Sequence, residues 1–107
     1  MAKIKDTDYL TISARIRAME TRLLTRERME RMLDARTGDE AAKVLSECGY
    51  SELTALTHTA LDELLSAARG ALYKELKGAV PDPRLVEVFQ MKYDYHNAKT
   101  LIKAAAV

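Results

Sequence analysis

The chain has 107 residues, with 17 Lys+Arg against 16 Asp+Glu and a formal net charge of +1. That length suits one small domain or a piece of a larger protein and excludes a two-domain enzyme. A hydrophobic share of 48% and a charged share of 31% are far from a disordered chain, and the near balance of charge argues against a dedicated nucleic-acid binder. Apolar content is mostly Ala, Leu and Met, which form helices, and long β-branched runs are missing.

The opening Met1-Ala2-Lys3-Ile4-Lys5-Asp6 lacks the apolar centre of a signal peptide, and no apolar run approaches the ~18 residues that cross a bilayer. The lone Cys48 cannot form an internal disulfide. The chain is therefore expected to be soluble and cytoplasmic, with a place beside a membrane only as part of an assembly. Charge falls in blocks: about +3 over 1–36, about −4 over 37–82 and about +2 over 83–107. Such blocks suit contacts between helices or with partner subunits; a solvated surface is the alternative.

Helical signals follow one another along the chain. The first predicted helix, Thr7 to Leu24, has Asp6 or Asp8 for a cap, and Tyr9, Ile12, Ile16, Met19 and Leu23 at spacings of three and four. That narrow seam is of the kind used between packed helices. A second helix, Thr25 to Ala35, is capped by Thr25 and carries Met29, Met32 and Leu33 on its apolar side. The third, Thr37 to Cys48, opens with the capping-box spacing Thr37-Gly38-Asp39-Glu40 and would bury Ala41, Val44, Leu45 and Cys48. Gly49 fits the left-handed position that ends a helix.

Ser51 to His58 reads as a loop or single turn. A fourth helix, Thr59 to Lys77, would bury Leu61, Leu64, Leu65, Ala68, Leu72 and Leu76. Gly70 interrupts it at a cost of ~1 kcal/mol, unless close packing needs the gap. Gly78-Ala79-Val80-Pro81-Asp82-Pro83 is the clearest break, and Pro83 after Asp82 starts a fifth helix, Asp82 to Val107. Leu85, Val86, Phe89 and Tyr93 form its apolar side, which runs on through Leu101 and Ile102. No strand pattern is left, so the fold class is all-α, a bundle of about five helices. The last residues, Lys99 to Val107, are good helix with no stop signal, as expected of a fragment of a longer chain.

Reactive constellations are missing: there is no Gly-rich phosphate loop, no Cys pair and no His-Glu-x-x-His helix. No catalytic, cofactor-binding or metal-binding residue is therefore assigned. Cys48 reads as a buried thiol, His58 as a surface histidine, and His96 beside Asp94 and Asn97 as a group that does not converge on a metal. Lys92-Tyr93-Asp94-Tyr95-His96-Asn97-Ala98-Lys99 is the densest polar cluster within an apolar helix. Asp94 and Asn97 share a face, and such residues weaken a helix unless a partner takes them. The first helix offers Arg15 and Arg17. The favoured reading is a polar clasp in which a buried Asp94 bonds Arg15 or Arg17 and Asn97 adds a bond; the alternative is a face for a ligand or a neighbouring protein.

Extended through Ala104, this segment resembles the Tyr-Asp-aromatic-His-Asn-Leu-Lys stretch of the C-subunit family of A/V-type ATP synthases, to which the d-type subunits of vacuolar ATPases also belong. Ala98 stands where that family usually has Leu. Ala14-Arg15-Ile16-Arg17-Ala18-Met19-Glu20, followed by Leu23-Leu24, resembles the family's early Ala-Arg-Val-Arg-x-x-Glu…Leu-Leu stretch. The Leu45 to Tyr50 region and the Pro81-Asp82-Pro83 linker fall between them in the expected order. The resemblance implies the first of three similar helical units arranged as a funnel. It further implies a non-catalytic rotor piece joining central-stalk subunits to the membrane rotor ring, peripheral to the membrane and with no cofactor of its own. A stand-alone helical adaptor is the alternative, and a phosphotransfer module using His96 between Lys92 and Lys99 is a third. Faces meant for neighbouring units should also make the chain self-associate, as a two-fold dimer through the first or last helix.

Overall fold

A computed structural model describes residues 3–53 and 55–107. Met1 and Ala2, part of the N-terminus read for a signal peptide, and Thr54, inside the predicted loop, lie outside the described residues. A 3₁₀ turn at Asp6–Tyr9 leads into α1 (Leu10–Glu20), α2 (Arg26–Leu33), α3 (Gly38–Glu47), α4 (His58–Ala79) and α5 (Arg84–Ala106). Among the described residues there is no strand, so the chain is all-α.

The helix ends follow local chemistry. The Thr25, Thr37 and Thr57 hydroxyls each accept a backbone N–H three residues on, at 3.1–3.3 Å, and so start α2, α3 and α4. Thr57 rather than Thr59 is thus the cap of α4. At the predicted capping box the Glu40 carboxylate accepts from the Arg36 N–H at 2.9 Å, one residue earlier than the standard pairing. The first helix is shorter than predicted. Asp8 accepts from the Lys5 N–H within the 3₁₀ turn, and after Glu20 a tight turn leaves Leu23 and Leu24 outside α1.

α3 ends in a Schellman motif. The Tyr50 N–H bonds the Leu45 carbonyl at 3.3 Å and the Gly49 N–H bonds that of Ser46 at 3.0 Å, with Gly49 at φ +87. α4 runs through Gly70 without a break, in open space, so no close packing calls for that glycine. Val80, forced into an extended conformation by Pro81, ends α4. Asp82 accepts the Arg84 N–H at 3.1 Å and grips its guanidinium at 2.8 Å, at the start of α5.

Packing is sparse and local. α2 and α3 pack on each other, tied by a bidentate Arg31–Glu47 bridge at 2.8 and 2.9 Å. α4 and α5 form a second pair, held by Lys77–Glu87 at 3.3 Å and by the Arg69 guanidinium 4.7 Å from the Tyr93 ring centroid. An Arg15–Glu75 bridge at 2.6 Å links α1 to α4. The radius of gyration is 18.0 Å, against about 13 Å for a compact chain of this length. Among the described residues, only Ile12, Val44, Leu45, Cys48 and Val86 are buried hydrophobics. Of the predicted α3 face, Val44, Leu45 and Cys48 are buried and Ala41 is half-buried, whereas Ile16, Leu23, Met29, Leu33, Leu65, Leu72, Leu85, Phe89, Leu101 and Ile102, all expected on apolar sides facing other helices, are exposed. The periodicities are those of helices that pack; the described residues hold too few elements to cover every face.

Two ion pairs make the fold sensitive to acid. Hydrogen bonds from Arg31 hold the Glu47 carboxyl below its ordinary range, and those from the Arg84 side chain and backbone do the same for Asp82. A carboxyl depressed in the folded state adds stability above its unfolded pKa, about 4, and loses it as pH falls through the folded value. The melting temperature should therefore fall between pH 5 and pH 3, by a modest amount because Arg31, Glu47 and Arg84 are exposed to solvent. Glu47→Gln should lower the melting temperature at pH 7 and flatten the pH dependence; thermal unfolding at each pH checks both.

Candidate functional site

Two apolar surfaces stand open. The first is a groove of about 810 Å³ between α1 and α4, closed at one end by the turn after α3. Ile16, Met19 and Leu23 form one wall, Leu65 and Leu72 the other, and Tyr50 the end. Its position follows from the α1 seam: Ile12 is buried, but Ile16 and Leu23 remain exposed above α4. Cys48 is buried at its edge, so its thiol is an apolar wall atom. Nothing in the lining pairs a nucleophile with a base. The groove has the chemistry to take an apolar helix face.

The second surface is on α5. Val86, Gln90 and Tyr93 are its buried or half-buried positions, whereas every residue from Asp94 to Val107 is exposed. On the far side from Val86 and Tyr93 runs a stripe of Val88, Met91, Tyr95, Ala98, Ile102 and Ala105, all exposed. Sequence reasoning missed it by attending to Leu85, Val86, Phe89 and Tyr93. Its signal is the unbroken alternation of spacings of three and four over 88–105.

The predicted clasp is not formed, and this corrects the sequence reading. Arg15 reaches Glu75 at 2.6 Å and Arg17 reaches Glu20 at 2.9 Å, on its own helix. Asp94 and Asn97 are exposed on α5. The reason is geometric. α5 packs on α4 through Tyr93 and Glu87, so α4 supplies the acid that the arginine of α1 meets, and Asp94 keeps its water. Asp94 instead edges a shallow polar hollow with Lys77, Arg84 and Glu87. His58 and His96 are both exposed, at the start of α4 and in mid-α5. Among the described residues no group of three His, Cys, Asp or Glu is placed to hold a metal ion, and no helix is long and apolar enough to cross a membrane.

The described residues thus form an all-helical framework with exposed apolar faces on α1, α4 and α5. The family model described as ATP synthase (C/AC39) subunit matches residues 12–107. The chain belongs to that family. It is also 28% identical over 101 residues to the C-type subunit of the V-type sodium ATPase of Enterococcus hirae, in a match covering 91% of this chain and 30% of that protein. The chain thus spans about 30% of the length of the curated relative it matches. No solved structure matches it.

Proposed function

We propose that this chain is a non-catalytic coupling element of a rotary A/V-type ATPase, joining central-stalk subunits to the membrane rotor ring so that ATP turnover is linked to proton or sodium transport. The carrying observation is membership of the ATP synthase (C/AC39) subunit family over residues 12–107. The exposed seams of α1 and α5 support it, because a unit that transmits torque needs broad apolar contacts with its neighbours. In this reading the residues form one of three similar helical units of a funnel. The element sits peripheral to the membrane, held there by the ring.

The test has two readouts. The tagged chain should co-purify with central-stalk and rotor-ring subunits, and membranes lacking it should hydrolyse ATP while losing ATP-driven ion uptake. A chain that binds neither set of subunits, and whose removal leaves uptake intact, acts instead as a stand-alone helical adaptor.

A further inference from the structure

A third side of α5 carries a pattern of its own. Leu85, Phe89, Lys92, His96, Lys99 and Lys103 follow one another at spacings of four and three, so they form a single row along the helix. At about 3.6 residues per turn, the row lies roughly a third of a turn from the side of Val86 and Tyr93 that meets α4. It lies about as far, the other way round, from the apolar stripe of Val88 to Ala105. All six residues are exposed, Leu85 at 53% and Phe89 at 65%. None of the four basic residues joins an ion pair among the described residues. No acid stands three or four places from any of them in the sequence. Lys99 and Lys103 are like charges at helical spacing, which weakens an isolated helix. The helix dipole favours a cation only in the last turn and so accounts for Lys103 alone.

We propose that this row is a membrane-contact surface, by which α5 lies along an anionic phospholipid leaflet. Lys92, Lys99 and Lys103 meet the headgroup phosphates, His96 donates an N–H among them, and Leu85 and Phe89 dip into the apolar edge beneath. A headgroup layer supplies anions all along the row and an apolar layer just below. An acidic protein would instead need a carboxylate opposite each cation and a pocket for each apolar side chain. Three lysines and two apolar side chains give weak, reversible attachment. That is enough to orient a subunit already held at the membrane, and the apolar stripe of α5 stays free for neighbouring subunits. The inference rests on the peripheral placement proposed above for its setting, and adds a direct lipid contact to the one through the ring.

The full chain should sediment with vesicles of phosphatidylglycerol and phosphatidylcholine in about equal parts, and not with phosphatidylcholine alone. With a net charge of only +1 the chain has no general attraction for an anionic surface, so binding reports a local feature. Salt at about 0.5 M should release it. Each lysine lost from the row should weaken binding about fivefold, and Lys92→Gln/Lys99→Gln/Lys103→Gln by roughly a hundredfold. Phe89→Ala should weaken it several-fold without changing the salt dependence. Lys43→Gln/Lys74→Gln, which removes two exposed lysines elsewhere, should leave binding unchanged. All these positions are exposed, and circular dichroism should report unchanged helix. Equal binding to both kinds of vesicle overturns the proposal, as does a triple variant that binds like the parent or a Lys43/Lys74 variant that loses as much. Capture of a polyglutamate peptide without vesicle binding assigns the row to an acidic protein and also overturns it. Vesicles test the row without the rotor: failure here leaves co-purification with stalk and ring subunits untouched, and failure of co-purification leaves vesicle binding untouched.

Discussion

Replacing Leu45 with alanine should lower the free energy of unfolding by about 2–3 kcal/mol, the low end of the range for a buried leucine. Leu45 is 8% exposed, and it joins Val44 and Cys48 as three of the five buried hydrophobic side chains among the described residues. Its carbonyl also receives the Tyr50 N–H that closes the helix, so relaxation around a cavity there would loosen the turn as well. In an open structure with five buried hydrophobic side chains among the described residues, few neighbours can move to refill the space. Stability of small domains is only about 5–15 kcal/mol, so the loss is large in proportion. Leu101→Ala removes the same number of atoms at a site that is 70% exposed, and should cost within about 0.5 kcal/mol for the monomer. Urea unfolding of the two variants at one low protein concentration checks the contrast; similar losses would mean that the packing centre is misplaced.

The next largest effect is expected at Gly49. With φ at +87, a valine there must adopt a conformation that costs about 1–2 kcal/mol for an L-residue and more for a β-branched one. A Cβ at that position would meet the Arg22 side chain at 3.5 Å, ordinary contact, so the penalty belongs to the backbone rather than to crowding. Gly49→Val should therefore destabilise by about 2 kcal/mol, with Gly49→Asn costing less because asparagine tolerates the left-handed region. Tyr50 closes the α1–α4 groove just after this turn, so the strained variant should also loosen the groove's end. Gly70→Ala should have the opposite sign. Gly70 lies inside α4 in open space, and alanine there should stabilise by up to about 1 kcal/mol. Equal responses at the two glycines would contradict the assignment of the Schellman turn.

Much of the fold was legible because its determinants lie a few residues apart. A threonine hydroxyl can reach an N–H three residues on whatever the rest of the chain does, so Thr25 and Thr37 announce α2 and α3 in the sequence. The same holds for Gly49, where the turn demands a positive φ, and for the linker, where Pro81 bars Val80 from the helix. Family membership was legible too, through the Arg15–Glu20 and Lys92–Ala104 segments, because it rests on residue identity rather than on geometry. Partner choice was not. Arg15 had several acids within its possible reach, and only the placement of α4 beside α1 selected Glu75 over Asp94. Helical period likewise marks an apolar face without saying whether anything covers it. Val44 and Ile102 both lie on apolar helix faces, yet one is 4% exposed and the other 68%. That difference arises from which helices meet across the chain, a property of the tertiary structure that no local spacing contains.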